Sequence, residues 1–271
     1  MFAKLLKHEW KATSKLQGLL ALGALGLGVI GAVVLKILVA CFTDGVGNDL
    51  EGFIPLIFIP AMMMVVFGMI AYAYGTLILL LYRFYKNKFT DEGYLTFTLP
   101  VNSHQIFLSS GLNMLIWVAV AVVVLFVDIF VILLFGTART GIINVEVLRG
   151  IPKFFQDLAA EDVVYLLTGG LSGIVSAVNS LVMIMTSITI GAVLAKKHKI
   201  LAAIGIYYGI STVMGIVYGV VSILTIAVLE GVAGDVILST PYLCQMVLNI
   251  PLILGGYFLS THLMKNKLNL P

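Results

Sequence analysis

The chain has 271 residues, of which 61% are hydrophobic and only 11% are charged. A soluble domain carries about 25% charged residues, so no water-solvated core accounts for this much apolar surface, and the mean hydropathy of +1.10 makes a bilayer the solvent for most of it. Two cysteines exclude a disulfide scaffold or a cysteine-rich metal site, and the net charge of +3 hides an uneven distribution along the chain.

The first segment, MFAKLLKHEWKATSKL, is too charged for a cleavable leader and has no short apolar core followed by a small-residue cleavage site. Lys4, Lys7, Lys11 and Lys15 recur at steps of three and four and form one helical stripe, with Phe2, Leu5, Leu6, Trp10 and Leu16 mostly off it. This predicts an amphipathic interfacial helix over 1–16, with the lysines and Trp10 at the lipid headgroups. A generic basic topology signal is the plainer alternative.

Six apolar runs follow, over roughly 17–41, 54–81, 106–135, 163–194, 200–228 and 241–263. Each is long enough to cross ~30 Å of hydrocarbon as a helix rising ~1.5 Å per residue. The expected fold is an all-α membrane protein with six transmembrane helices in a single transmembrane domain over 1–271. The amino terminus, the 82–105 loop, the 195–199 loop and the carboxyl terminus share one side of such a topology, and together they hold 12 of the 16 basic residues. The opposite side holds nine of the 13 acids. The positive-inside rule then places both termini in the cytoplasm. The one sizeable outer loop, 136–162, contains GIPKFFQDLAAED, which predicts a short amphipathic helix opened by Gly150 and Pro152.

Little in the chain reads as chemistry. The phosphate-binding loop G-x-x-x-x-G-K-[ST] and the zinc motif H-E-x-x-H are both missing. His8, His104, His198 and His262 all fall at cytoplasmic span ends, where interfacial polarity explains them better than metal binding; no metal site and no catalytic group is assigned. Gly170-Leu171-Ser172-Gly173 matches the G-x-S-G of rhomboid intramembrane proteases. His262 lies at the other end of its span from Ser172, however, and a general base must come within ~3 Å of its nucleophile. Gly169-x-x-x-Gly173, and Gly205, Gly209, Gly215 and Gly219 of the fifth span, instead read as small-residue packing faces of a tight bundle or dimer. Lys36 and Asp128 are the charges inside the outer half of the spans, and their pairing is one expectation, with Lys36 snorkelling and Asp128 meeting water as the other. Asn179, Ser180, Thr186 and Ser187 in the fourth span suit either a polar path or interhelical hydrogen bonds. Cys41 and Cys244 both fall near the outer face, within range of a disulfide if their spans adjoin.

The loop between the second and third spans contains FTDEGYLTFTLPVN. Thr90 can cap a short helix over 90–99 with Asp91 and Glu92 in its first turn, Pro100 stops it, and Asn102 with Gln105 opens the next span as a capping box. The alternation from Leu95 to Leu99 is also a strand pattern. This loop ahead of SHQIFLSS, the amphipathic KLLKHEWKAT start, the short inner loops and six spans with both ends inside resemble a permease of the ABC-2 family, the membrane half of an ATP-binding-cassette transporter.

The resemblance implies that Thr90, Asp91, Glu92, Gly93, Tyr94, Leu95, Phe97 and Leu99 form a coupling helix seated on a separate ATPase subunit. ATP and magnesium would be bound by that partner and no cofactor by this chain. The further partners implied are a second permease subunit, identical or paralogous, and membrane lipid; nothing points to nucleic acid. The expected activity is export of a hydrophobic or amphipathic compound such as a peptide antibiotic, drug or lipid, across a bacterial cytoplasmic membrane. The short link between the fifth and sixth spans departs from larger members and leaves little room for paired re-entrant helices. A membrane scaffold or regulatory subunit that transports nothing is the alternative of a different class, and a rhomboid-like serine protease a third.

Overall fold

A computed structural model describes residues 2–44, 53–90, 93, 101–138, 142–195, 197–229 and 234–266. Among these residues all regular structure is helical. The helices are α1 (Phe2–Asp44), α2 (Phe53–Phe89), α3 (Ser103–Val131) running into a π-helical turn (Ile132–Gly136), α4 (Val145–Asp157), α5 (Ala160–Leu194), α6 (Lys199–Leu229) and α7 (Gly234–Asn266). Six stretches are long and apolar enough to cross a membrane: Phe2–Phe42, Pro55–Phe89, Ser103–Gly136, Asp162–Leu194, Lys199–Thr225 and Thr240–Asn266. The chain is thus a multi-pass, all-helical membrane protein. Pro60 of α2 and Pro241 and Pro251 of α7 lie inside helices, as apolar spans tolerate when neighbouring groups take up the freed carbonyls.

Two expectations from sequence are corrected. No break separates an interfacial helix over 1–16 from the first span, because α1 is one helix of 43 residues. Gly18 is its one weak helix former near residue 16, and a lone glycine costs only about 1 kcal/mol. Lys4, Lys7, Lys11 and Lys15 do form an exposed stripe. On its other side Glu9, Thr13 and Gln17 recur every four residues and are all buried, so packing continues through the stretch where a break was expected. The second correction concerns α4, which begins at Val145, with Gly150 and Pro152 inside it rather than at its start. Its opening is set by Asn144, whose Oδ1 accepts from the Glu146 amide at 3.0 Å. The Asn144 side-chain amide donates to the Thr137 hydroxyl at 2.8 Å and its backbone N–H to the Leu134 carbonyl at 2.8 Å, closing the end of the π turn.

The chain divides into two compact units, one of residues 8–80 and 116–157 and the other of residues 1–7, 81–115 and 158–271. In the first, α1 packs parallel to α3 and antiparallel to α2. Ala24, Tyr72, Ala121 and Val124 make one buried cluster, and Ala32, Val65 and Ile132 a second. Glycine sets the helix spacing between them. A Cβ on Gly31 would lie 2.9 Å from both Val65 and Ile132, and one on Gly136 would lie 2.9 Å from Leu35.

In the second unit α5 and α7 run parallel, joined along their length by side-chain hydrogen bonds. The end of α5 at Leu194 and the start of α6 at Lys199 lie close in sequence. The two helices also meet closely there, since a Cβ on Gly191 would come within 2.6 Å of the Ala203 amide nitrogen. The Ala195 N–H donates to the Gly191 carbonyl at 3.0 Å, and the His198 carbonyl accepts from the Ala202 N–H at 3.0 Å, so one backbone bond extends each helix by a residue at its end.

Candidate functional site

Of the eight residues expected to form a coupling segment, Thr90 and Gly93 are described. Asp91, Glu92, Tyr94, Leu95, Phe97 and Leu99 lie outside the described residues, as do the helix expected over 90–99 and the alternating stretch within it. The Thr90 side chain turns back onto the end of α2. Its hydroxyl donates to the Lys86 carbonyl at 2.6 Å, because the last turn of α2 leaves carbonyls without partners and a threonine four residues on is placed to meet one. The Gly93 N–H donates to the Thr90 carbonyl at 2.8 Å, making one further turn.

The two ends of this segment are anchored in the same unit. At the near end Phe89 is 1% exposed and meets Phe84 edge-on, with ring centroids 5.6 Å apart. The Lys199 ammonium donates to the Phe89 carbonyl at 3.4 Å, placing a cation at the negative end of α2. At the far end α3 begins at Ser103, with the Asn102 carbonyl accepting from the Ile106 N–H at 3.2 Å. Phe107 meets Phe84 edge-on at 6.4 Å and Tyr257 of α7 at 5.8 Å. His104 Nδ1 and the Tyr257 hydroxyl are 2.8 Å apart. Four aromatic rings, Phe84, Phe89, Phe107 and Tyr257, therefore tie α2, α3 and α7 together where α2 ends and α3 begins, while Lys199 ties in α6. Sequence reasoning missed this platform. Its signal was the recurrence of aromatic residues at the basic ends of three spans.

Of the four residues that suit a polar path or interhelical hydrogen bonds, Thr186 makes an interhelical bond. The Thr186 hydroxyl donates to the Val182 and Gly256 carbonyls and accepts from Ser260 Oγ at 3.0 Å, so Thr186 belongs to the α5–α7 joint. Ser187 donates back to the Met183 carbonyl at 2.8 Å. Ser180 is exposed and Asn179 half-buried, with Asn179 Oδ1 lacking a hydrogen-bond partner. The joint continues through residues that sequence reasoning left out. Asn249 donates to Ser176 Oγ at 3.1 Å and accepts from the Tyr218 hydroxyl at 2.5 Å, linking α5, α6 and α7.

Ser172 lies at the same level, 3.4 Å from Gln245 Oε1. Gln245 precedes His262 by 17 residues, about 25 Å of helix at ~1.5 Å per residue, and His262 Nδ1 is bonded to Asn266. Ser172 and His262 do not form a nucleophile and base. Cys41 and Cys244 are both free, and Cys244 Sγ lies 3.6 Å from Thr225 Oγ1. Among the described residues no group of three or more His, Cys, Asp or Glu side chains converges as a metal site.

In the other unit Asp128 is 1% exposed and packs against Gly28, so closely that a Cβ on Gly28 would overlap the carboxyl group. Lys36 lies eight residues further along α1, about 12 Å along its axis, and the expected pair is not formed: Asp128 Oδ2 has no hydrogen-bond partner. Towards the lysine-bearing end of α1, Gln17 Nε2 donates to the Thr76 carbonyl at 3.3 Å and Trp117 Nε1 donates to the Thr13 hydroxyl at 2.9 Å. Trp10 stacks on Trp117 with ring centroids 4.5 Å apart.

No protein-family model, curated protein or solved structure matches the chain.

Proposed function

We propose that the chain is the membrane-spanning permease subunit of an ATP-binding-cassette transporter of the ABC-2 kind, lying in a bacterial cytoplasmic membrane with its lysine-rich helix ends in the cytoplasm. The observation that carries this reading is the seating of both ends of the 90–102 segment on one aromatic platform. A partner pressing on that segment moves Phe89 and the start of α3 together, and through Phe107, Tyr257 and Lys199 it moves α7 and α6 as well. A loop whose two ends are both held to four spans is suited to receiving force. The exposed lysines of α1, together with Lys197 and Lys265, suit the anionic inner leaflet.

The chain itself would hydrolyse nothing. ATP and magnesium would sit in separate ATPase subunits, and a second permease subunit would complete the transporter. Closure of the ATPases would pass through Thr90–Leu99 and switch a cavity between the two permeases from inward- to outward-facing. The cargo would be a hydrophobic or amphipathic compound moving outward. The test is to express the chain in its native host with a tag, purify it, look for an ATP-binding-cassette ATPase in the preparation, and measure substrate-responsive ATP hydrolysis. Co-purification, with the response lost on deleting residues 90–99, is expected. A response that survives the deletion, or no ATPase in the preparation, sinks the reading.

A further inference from the structure

Asp128 poses a question of charge balance that the proposed function does not answer. Its carboxyl group is 1% exposed within the spanning stretch Ser103–Gly136. An ionised carboxylate held away from water without a partner costs several kcal/mol, and intramembrane acids are accordingly paired or functional. The elements packed around Asp128 supply no counter-charge. Helix α1 presents Gly28, whose missing side chain leaves the space the carboxyl fills. From α2 the titratable side chain within electrostatic reach is Tyr72, which carries no positive charge. On α3 the residues one turn to either side are Val124 and Ile132, members of the two apolar clusters. Asp128 forms no ion pair among the described residues, and Oδ2 is left without a hydrogen bond.

We propose that Asp128 is a cation-exchange site inside the spanning unit, its charge balanced by one mobile monovalent cation, a proton or a sodium ion, instead of by a fixed basic side chain. Gly28 leaves room for the carboxyl group itself. Tyr72 supplies a neighbouring hydroxyl, and the buried polar groups Gln17, Thr13 and Trp117 continue from there towards the lysine-bearing end of α1. A proton on Oδ2 makes the group neutral; a sodium ion would be held by the carboxylate in the same place. Either occupant can leave when the helices separate, so occupancy reports the packing of α1, α2 and α3. The inference holds whether or not the chain works with an ATPase.

The test uses the full chain in lipid nanodiscs, by infrared difference spectroscopy and thermal unfolding, with Asp128→Asn and Lys36→Gln variants. With a proton as occupant, sodium-free wild type at neutral pH shows the carbonyl stretch of a protonated carboxyl group, and Asp128→Asn lacks it. With sodium as occupant that band is missing, sodium chloride raises the unfolding midpoint of wild type above that in equimolar choline chloride, and Asp128→Asn shows no such rise. Lys36→Gln leaves the wild-type pattern unchanged in both cases, which keeps a readout if Asp128→Asn does not fold. A change of the Asp128 signal in Lys36→Gln overturns the proposal, because the counter-charge is then fixed. So does an ionised carboxylate insensitive to sodium, or an Asp128→Asn variant that behaves as wild type in both measurements.

Discussion

Thr13 is buried where α1 meets α3 and bonds in two directions. Its hydroxyl donates to the Glu9 carbonyl at 3.0 Å and accepts from Trp117 Nε1 at 2.9 Å. Thr13→Val keeps the shape and removes the acceptor, leaving a buried indole N–H unsatisfied, so a loss of about 1–3 kcal/mol is expected in denaturant unfolding followed by far-UV circular dichroism. Trp117→Phe removes the orphaned donor. The double variant is expected to lose less than the sum of the two single losses, and strict additivity would show that the bond carries no coupling.

Thr13 also shows where sequence reading stopped. The lysine stripe of α1 was legible because it is local. Whether the helix lies in an interface or continues as a span is decided by Trp117 and Thr76, which meet it from 104 and 59 residues away, and no local spacing carries that information.

At the scale of helices, the spans themselves were legible because length and apolarity are properties of each run taken alone. Their mutual packing was only half so. Glycine spacing identified candidates for close approach without saying which are used. Gly28, Gly31, Gly136, Gly191 and Gly256 are tightly filled, whereas a Cβ on Gly205, Gly209, Gly215 or Gly219 of α6 would meet nothing within 4 Å. The difference predicts opposite outcomes for one substitution. Gly191→Ala drives a methyl into the backbone at Ala203 and is expected to destabilise the α5–α6 contact by about 1–3 kcal/mol. Gly209→Ala, on the open face, is expected to be neutral or to gain up to about 1 kcal/mol from helix propensity. Thermal unfolding of the two variants in the same detergent checks the contrast, and equal losses would mean that the open face is packed in solution. The polar residues of α5 were ambiguous for a related reason. A threonine in a span reads the same whether it lines water or bonds a neighbour, and only the partners Gly256 and Ser260, some 70 residues on, decide for Thr186.

For the whole molecule, orientation and force transmission each give a prediction. With Cys41 and Cys244 replaced by serine, single cysteines at Lys7 or Lys197 are expected to react with a membrane-impermeant maleimide only after the cells are opened. Cysteines at Glu146 or Asp157 are expected to react in intact cells. The reverse pattern inverts the topology and removes the basis for an inner coupling segment. Phe89→Ala is expected to leave an ATPase partner bound while lowering substrate-stimulated hydrolysis several-fold, because the segment loses its buried footing and not its own surface. Loss of binding instead would place Phe89 in the contact itself. The platform left a trace in the sequence, aromatic residues recurring at the basic ends of three spans, but which rings meet is decided by partners spread from residue 84 to residue 257.

The tryptophan stack has a practical consequence. The chain contains two tryptophans, and both belong to the one pair with planes inclined at 12°. All indole emission from the protein therefore originates at the joint between α1 and α3. Chromophores this close couple electronically, so the joint also has its own signature in circular dichroism. Any ligand, partner or cation that opens or tightens this joint writes its effect into the indole emission, with no dye attached, when excitation is set at the red edge where tyrosine no longer absorbs.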